Sequence, residues 1–295
     1  MVTVGFILSM YEEGHIVSGP KKTSLQEITD QKRIIGILSN LRGFFGKRKV
    51  DSLVPNDVGL YFKHRKIADS TLRREIGALN AAINFVETNF TEYKGIGAFK
   101  LPLPPAPAGT ERFLFDDEIE RLMVESRFTQ IGHSNQGFIF GYTEEPTRLH
   151  TFCAIGLYTG ARRSSIEELK WSQVDFIDRI IDFRVLEKKQ TRKRRVPVPI
   201  SDKLLPILEA AKEASDSRYV LDHGGSVYRG FKSACRRAEI HDCHPHTLRH
   251  TFITRALKAG KKPYDVAALV GDTVETILKR YGHHHPDYLR DAVNF

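Results

Sequence analysis

Apolar residues recur at helical spacing through most of the first hundred positions. Residues 24–45, 52–65 and 70–90 each predict an amphipathic helix. In the first of these segments, Ser24 and Glu27 have the spacing of a capping box. In the third, the apolar residues fall on one face of the predicted helix: Leu72, Ile76, Leu79, Ile83 and Val86.

The helical pattern stops at KLPLPPAPAGTER, residues 100–112. Four prolines and a glycine in this window are incompatible with a helix interior, so we interpret it as a semi-rigid extended linker. The sequence therefore predicts two domains, residues 1–99 and 113–295.

The second domain combines many predicted helices with two β-rich segments. Residues 174–185 and 194–201 have strand composition, and they flank a basic turn at residues 187–194. The predicted fold is mostly α, with a small antiparallel β-sheet in the C-terminal domain. Helices are predicted at residues 115–126, 144–160, 201–214, 246–260, 263–271 and 273–281.

Charge and cysteine content restrict the environment and the partner. The net charge is +9 and the pI is near 9.4, which favours a polyanionic partner, either nucleic acid or an anionic membrane surface. No apolar run approaches the roughly 18 residues of a spanning helix, so we expect no membrane insertion. Three cysteines without a CxxC pair indicate a reducing compartment, such as the cytoplasm, and no disulfide framework.

Two segments could bind phosphate. Arg162 lies shortly after Gly160, at the predicted start of a helix. Its guanidinium and the free backbone N–H groups there can hold a phosphate. The alternative is an arginine that forms an ordinary surface ion pair. The basic turn could contact a DNA backbone or could be a solvated charged loop. Six cations fall within residues 188–195: Lys188, Lys189, Arg192, Lys193, Arg194 and Arg195.

Two further segments could carry proton transfer or nucleophilic attack. In HPHTLRHTF, His246 and Arg249 are three residues apart and share a helix face, although a helix start with incidental polar residues is the alternative. In RYGHHHPDY, Tyr281 is either an exposed nucleophile or a ring packed on the core. The histidines and cysteines lack the paired spacing of a zinc site, so no metal is predicted.

The order and spacing of four motifs resemble the tyrosine recombinase (phage integrase) family. The motifs are TGARRSS, KQTRKRRVPV, HTLRHTF and LVGDTVETILKRYGH, and the resemblance covers about residue 111 to the end. It implies a helical DNA-clamping domain at 1–99, a linker at 100–112 and a catalytic domain at 113–295. It also implies double-stranded DNA as the partner and a tetramer assembled on DNA, with a monomer as one possibility in free solution.

The resemblance further implies a site-specific recombinase that acts through a 3′-phosphotyrosyl intermediate, without metal, ATP or another cofactor. Tyr281 would attack the phosphodiester, while Arg162 and Arg249 would neutralise the transition state. His246 is the candidate base. Lys189 matches the family's general-acid lysine, with Lys188 as the nearby competitor.

One position departs from the family pattern. Asp272 stands where the family usually has His or Trp, and it could bond to an arginine or cap the last helix. His283 matches the pattern and is a possible neighbour of the phosphate. Two other functions remain open: a type IB topoisomerase-like enzyme, and a non-catalytic DNA-binding regulator or decayed integrase.

Overall fold

The computed structural model describes residues 2–17, 25–96, 100–106, 112–134, 137–184, 195–222 and 226–285. The chain divides into two compact units, Met1–Ala108 and Gly109–Phe295. Each unit has its own hydrophobic core. None of the described helices is long and apolar enough to cross a membrane.

The first unit is helical, as its periodicity predicts. The apolar face predicted for residues 70–90 is confirmed, since all five of its residues are buried in α4. Residues before position 24 also form a helix, which was not predicted from the sequence. The helices are α1 (Val4–Tyr11), α2 (Leu25–Phe45), α3 (Asp57–Arg65) and α4 (Asp69–Asn89). Ser24 of the predicted capping box lies outside the described residues.

A buried ionic network joins α2, α3 and α4. The Glu75 carboxylate accepts hydrogen bonds from Tyr61 at 2.6 Å, from Arg65 at 2.8 and 3.1 Å, and from Asn40 at 3.3 Å. Glu75 is only 2% exposed. Burial alone would raise the pKa of Glu75, but the hydrogen bonds from Arg65 and Tyr61 outweigh it and lower that pKa.

The proline-rich segment begins packed on the first unit. Leu101 is buried, and its backbone N–H and C=O pair with the side-chain amide of Asn80 on α4 at 3.1 and 2.8 Å. Arg73 also donates to the Pro104 carbonyl. The first residues of the segment are therefore fixed to α4.

The second unit is mostly helical with two small antiparallel sheets. The strands of the first sheet are β1 (Phe128–Ser134) and β2 (Gly137–Tyr142). Those of the second are β3 (Val174–Asp175), β4 (Ile180–Asp182) and β5 (Pro197–Pro199), in the order β3-β4-β5. The helices are α5 (Asp116–Glu125), α6 (Arg148–Thr159), α7 (Arg163–Glu167), α8 (Leu205–Glu213), α9 (Tyr228–Arg237), α10 (Pro245–Lys258), α11 (Pro263–Val270) and α12 (Val274–Tyr281).

Glycines end α6 and α11 at the predicted positions. Gly160 and Gly271 both adopt left-handed backbone, with φ of 64° and 62°, which favours glycine at a helix C-terminus. At Gly160 a Cβ would also meet the ring of Phe252 at 2.6 Å. This glycine is therefore required both by its backbone conformation and by the close approach of α10.

The β1–β2 hairpin and α9 were not predicted from the sequence. Along the hairpin most side chains are exposed, so the alternation of buried and solvent-facing residues that identifies a strand is lacking. Its exposed residues include several large apolar ones: Ile131, Phe138, Ile139, Phe140 and Tyr142.

Candidate active site

Arg162 stands at the start of α7, as predicted. It is the N-cap residue, with extended backbone. Its guanidinium Nη2 donates to the carbonyl oxygen of Gly271 at 2.9 Å. The turn after α6 and the turn after α11, 109 residues apart in the chain, are thereby joined.

Arg249 is the buried centre of the site. Its side chain is 3% exposed, and Nη1 donates to the carbonyls of Gly160 at 2.9 Å and Val270 at 2.7 Å. Both acceptors lie at helix C-termini, where the backbone dipole favours a cation. Burial, together with the charge of Arg162, lowers the pKa of Arg249 to about 10, so the guanidinium stays charged at neutral pH.

The Asp272 carboxylate lies against both guanidinium groups. Its Oδ2 accepts a hydrogen bond from Arg249 Nη2 at 3.0 Å and lies 3.7 Å from Arg162 Nη2. The hypothesis that Asp272 caps the last helix is wrong. Thr273 is the N-cap of α12, and its Oγ1 accepts from the backbone N–H of Thr276 at 3.1 Å. Asp272 lies one residue before this cap, and its Oδ1 accepts from the backbone N–H of Thr273 at 3.1 Å.

Tyr281 is the last residue of α12, and its ring is packed on a core while its hydroxyl lies in the site. The residue is 6% exposed and clusters with residues of α10, α11 and α12 such as Ile253 and Ile277. Its hydroxyl forms a short hydrogen bond with Nδ1 of His250. Burial raises the pKa of Tyr281, against the opposing charges of Arg249 and Arg280. Of the two alternatives for Tyr281, the structure therefore supports a ring packed on the core and not an exposed ring.

His250 is the site residue that sequence reasoning missed. It is 6% exposed, and its Nδ1 bonds to the Tyr281 hydroxyl. Burial and the charges of His244 and Arg249 lower its pKa to about 4, so it is neutral at pH 7. His246, the candidate base, is exposed, and its ring packs edge-on against His250 at 4.7 Å between centroids. The sequence did contain a signal for His250: it lies four residues after His246, and residues four apart share a helix face.

The remaining predicted residues are more scattered. His283 is exposed on a 3₁₀ turn after α12, and its ring contacts His284 at 4.0 Å. Arg195 pairs with Glu168 at 2.8 Å, and its charge acts on Arg162. Five residues of the basic turn lie outside the described residues: Lys188, Lys189, Arg192, Lys193 and Arg194. Among the residues that are described, no cluster of three His, Cys, Asp or Glu side chains could hold a metal ion.

The site thus combines an anion-binding centre with a phenol. Two guanidinium groups converge on one carboxylate, and the charge of Arg249 acts on the neighbouring Tyr281. Such a pair of guanidinium groups can bind an oxyanion through charge-assisted hydrogen bonds. The arrangement can therefore hold a phosphate beside a potential oxygen nucleophile.

The fold is similar to that of solved integrase structures. The Tn1549 transposon integrase in complex with a circular intermediate DNA matches with a TM-score of 0.73 at 16% identity, over 100% of this chain and 99% of that chain. A λ integrase dimer bound to a COC′ core site matches with a TM-score of 0.70 at 14% identity, over 95% of this chain and 77% of that one. A λ integrase tetramer bound to a Holliday junction matches with a TM-score of 0.67 at 15% identity, over 92% of this chain and 78% of that chain. At these identities the likeness concerns the fold alone.

Sequence relatives carry the assignment further. A tyrosine recombinase of Thermosipho africanus is 28% identical over 233 residues, which cover 76% of this chain and 75% of the relative. Tyrosine recombinase XerC of Anoxybacillus flavithermus is 25% identical over 98% of this chain and 97% of the relative. The model of the phage integrase family matches residues 112–287, more than half of the chain. The chain therefore belongs to the phage integrase family, the tyrosine recombinases, as its four motifs predicted.

Proposed function

We propose that the protein is a site-specific DNA recombinase that breaks and rejoins DNA strands through a covalent bond to Tyr281. One observation carries the proposal: two arginines and a tyrosine from distant parts of the chain meet at one site. Arg162 and Arg249 share the Asp272 carboxylate, and the Tyr281 phenol lies within the electrostatic reach of Arg249. Family membership gives this convergence its chemical meaning.

In the proposed reaction the phenolic oxygen of Tyr281 attacks phosphorus and the 5′-oxygen leaves. The product is a 3′-phosphotyrosyl bond and a free 5′-hydroxyl. Because the phosphodiester is exchanged rather than hydrolysed, the strand can be resealed without ATP. Attack by the 5′-hydroxyl of a partner strand then gives a recombinant.

Two guanidinium groups supply the charge that this transition state needs. Negative charge accumulates on the non-bridging oxygens, and fixed cations aimed at it stabilise the transition state. Arg162 and Arg249 are held by backbone carbonyls at helix ends, so little reorganisation is needed on binding. We therefore propose that catalysis is independent of a metal ion. Lys189 would protonate the departing 5′-oxygen.

The proposed partner is double-stranded DNA, with each unit contributing a basic surface. In the first unit Lys47, Lys49, Lys63 and Lys66 are exposed, which suits phosphate contacts of a clamp domain. In the second unit we assign this role to Lys188, Arg192, Lys193, Arg194 and Arg195. The tetramer formed by λ integrase on a Holliday junction supports the proposal that four copies of this chain assemble on two DNA sites.

A covalent-adduct assay tests the proposal. Nicked duplexes tiled across the DNA that flanks the gene release a short 5′-hydroxyl strand after cleavage, so the covalent complex accumulates and is seen on a denaturing gel. With EDTA present and ATP absent, we expect an adduct with wild type and none with Tyr281→Phe, which should still bind DNA. DNA binding without any adduct would overturn the proposal in favour of a regulator. Plasmid relaxation without Holliday junctions would indicate a topoisomerase-like enzyme instead.

A further inference from the structure

We infer that His250 accepts the phenolic proton of Tyr281 during strand cleavage. The inference rests on the proposed role of Tyr281 as nucleophile, and it assigns the proton acceptor to a residue other than His246. His250 contacts the phenolic oxygen that would react, so we assign it as a catalytic residue.

The contact between the two side chains is direct and enclosed. The Tyr281 hydroxyl bonds to Nδ1 of His250, which joins the last residue of α12 to the middle of α10. Each residue is 6% exposed, and the ring centroids are 5.6 Å apart. A phenol shielded in this way has its proton acceptor supplied by the protein rather than by bulk water.

The charge state of His250 suits an acceptor. Burial, with the charges of His244, Arg249 and Arg280, lowers its pKa to about 4, so the imidazole is neutral at pH 7. A neutral imidazole with its proton on Nε2 offers a lone pair at Nδ1, and the phenol donates to it. Tyr281 itself faces the ring from α12, and His246 faces it from its own helix.

Substrate binding would strengthen this base. Burial is the main reason for the low pKa of His250, and the cationic Arg249 and Arg280 add to it. A phosphodiester held by Arg162 and Arg249 would bring a negative charge beside these cations. An opposite charge nearby favours the protonated form and raises a histidine pKa. His250 would thus become a better proton acceptor when DNA occupies the site.

The proposed step balances in protons and bonds. The Tyr281 oxygen forms a bond to phosphorus as its proton moves to Nδ1 of His250. The bond between phosphorus and the 5′-oxygen breaks, and that oxygen takes a proton from Lys189. During rejoining the imidazolium returns its proton to the departing tyrosine oxygen.

His250→Asn is the informative variant. An asparagine oxygen can occupy nearly the same place as Nδ1 and can still accept the phenol's hydrogen bond, but it cannot take up the proton. We expect adduct formation on the nicked duplex to fall about 10²–10⁴-fold at pH 7, the usual contribution of a general base. Its rate should then rise about tenfold per pH unit toward alkaline pH, because hydroxide replaces the lost base, whereas the wild-type rate should be nearly flat.

Controls separate this inference from the proposed function. His241→Asn changes an exposed histidine before α10 and should behave as wild type. DNA binding and thermal unfolding, measured for every variant, identify loss of fold. If Tyr281→Phe abolishes the adduct while His250→Asn keeps the wild-type rate and pH profile, the inference is wrong and the proposed function stands. It is equally wrong if His246→Asn, and not His250→Asn, gives the alkaline-dependent profile. If wild type forms no adduct, both the proposed function and the role of His250 are wrong.

Discussion

The carboxylate of Asp272 accepts a hydrogen bond from the guanidinium of Arg249 at 3.0 Å, within the proposed phosphate site. Asp272 is also 3.7 Å from Arg162, so one carboxylate serves two cations. Asp272 thereby links the two guanidinium groups. It also places a negative charge where the proposed substrate brings another.

Removing that charge should tighten DNA binding. In Asp272→Asn the amide oxygen can still accept from Arg249, but the repulsion of the incoming phosphate is lost. We expect affinity for duplex DNA to rise about tenfold, or about 1.4 kcal/mol. Fluorescence anisotropy across a salt series measures this. Asp202→Asn is the matched control, because Asp202 is 93% exposed and pairs with Arg179. Weaker binding by Asp272→Asn would mean that holding the arginines outweighs the repulsion.

Replacing Arg249 by lysine should separate cleavage from binding. An ammonium keeps the charge but cannot span the carbonyls of Gly160 and Val270 and the Asp272 carboxylate. We expect Arg249→Lys to lower adduct formation about 10²–10³-fold, the usual cost of losing a transition-state donor, with duplex affinity changed little.

The control for that experiment is Arg255→Lys, on the same helix. Arg255 is half-exposed and pairs with Asp116 near the surface. The Arg255→Lys variant should form the adduct at the wild-type rate. Equal cleavage by Arg249→Lys and wild type would contradict the assigned role of Arg249.

The leaving group provides a test of Lys189. Lys189→Ala should cleave an ordinary duplex slowly, because the 5′-oxygen then departs without a proton. A substrate with sulfur in place of that 5′-oxygen should restore the rate, since a thiolate is a far weaker base. Single-turnover adduct formation on both substrates measures the difference.

If the sulfur substrate restores the cleavage rate of Lys188→Ala and not that of Lys189→Ala, the general acid is Lys188. The same sulfur substrate should not rescue His250→Asn, which acts on the nucleophile.

The buried network around Glu75 should stabilise the first unit in a pH-dependent way. Glu75→Gln leaves Arg65 and Tyr61 without their carboxylate, and we expect a loss of about 3 kcal/mol in the free energy of unfolding at pH 7. The folded-state pKa of Glu75 is lowered, so the stabilisation is present above the unfolded carboxyl pKa of about 4.3 and is lost as pH falls through the folded value. Urea unfolding at several pH values should show the gap between wild type and variant closing on acidification. Glu92→Gln, an exposed change, should show no such gap.

Local pattern was enough to predict most helices and the motifs of the site. Periodicity identified the buried face of α4, and glycine marked the ends of α6 and α11. These features depend on residues within a turn or two of one another, so a single sequence contains the information. The β1–β2 hairpin was missed because its exposed side chains leave no buried alternation.

Tertiary structure alone decided which side chains meet. The sequence contains Asp272 and Tyr281, but only the packing of α10 against α11 and α12 turns the carboxylate toward two arginines and places the phenol on His250 instead of His246. Likewise, nothing local distinguishes Glu75 from a solvated glutamate on α4. The physical reason is that a helix pattern fixes which face of each helix is buried. The pairing of polar groups depends on the relative position and rotation of helices that are far apart in the chain.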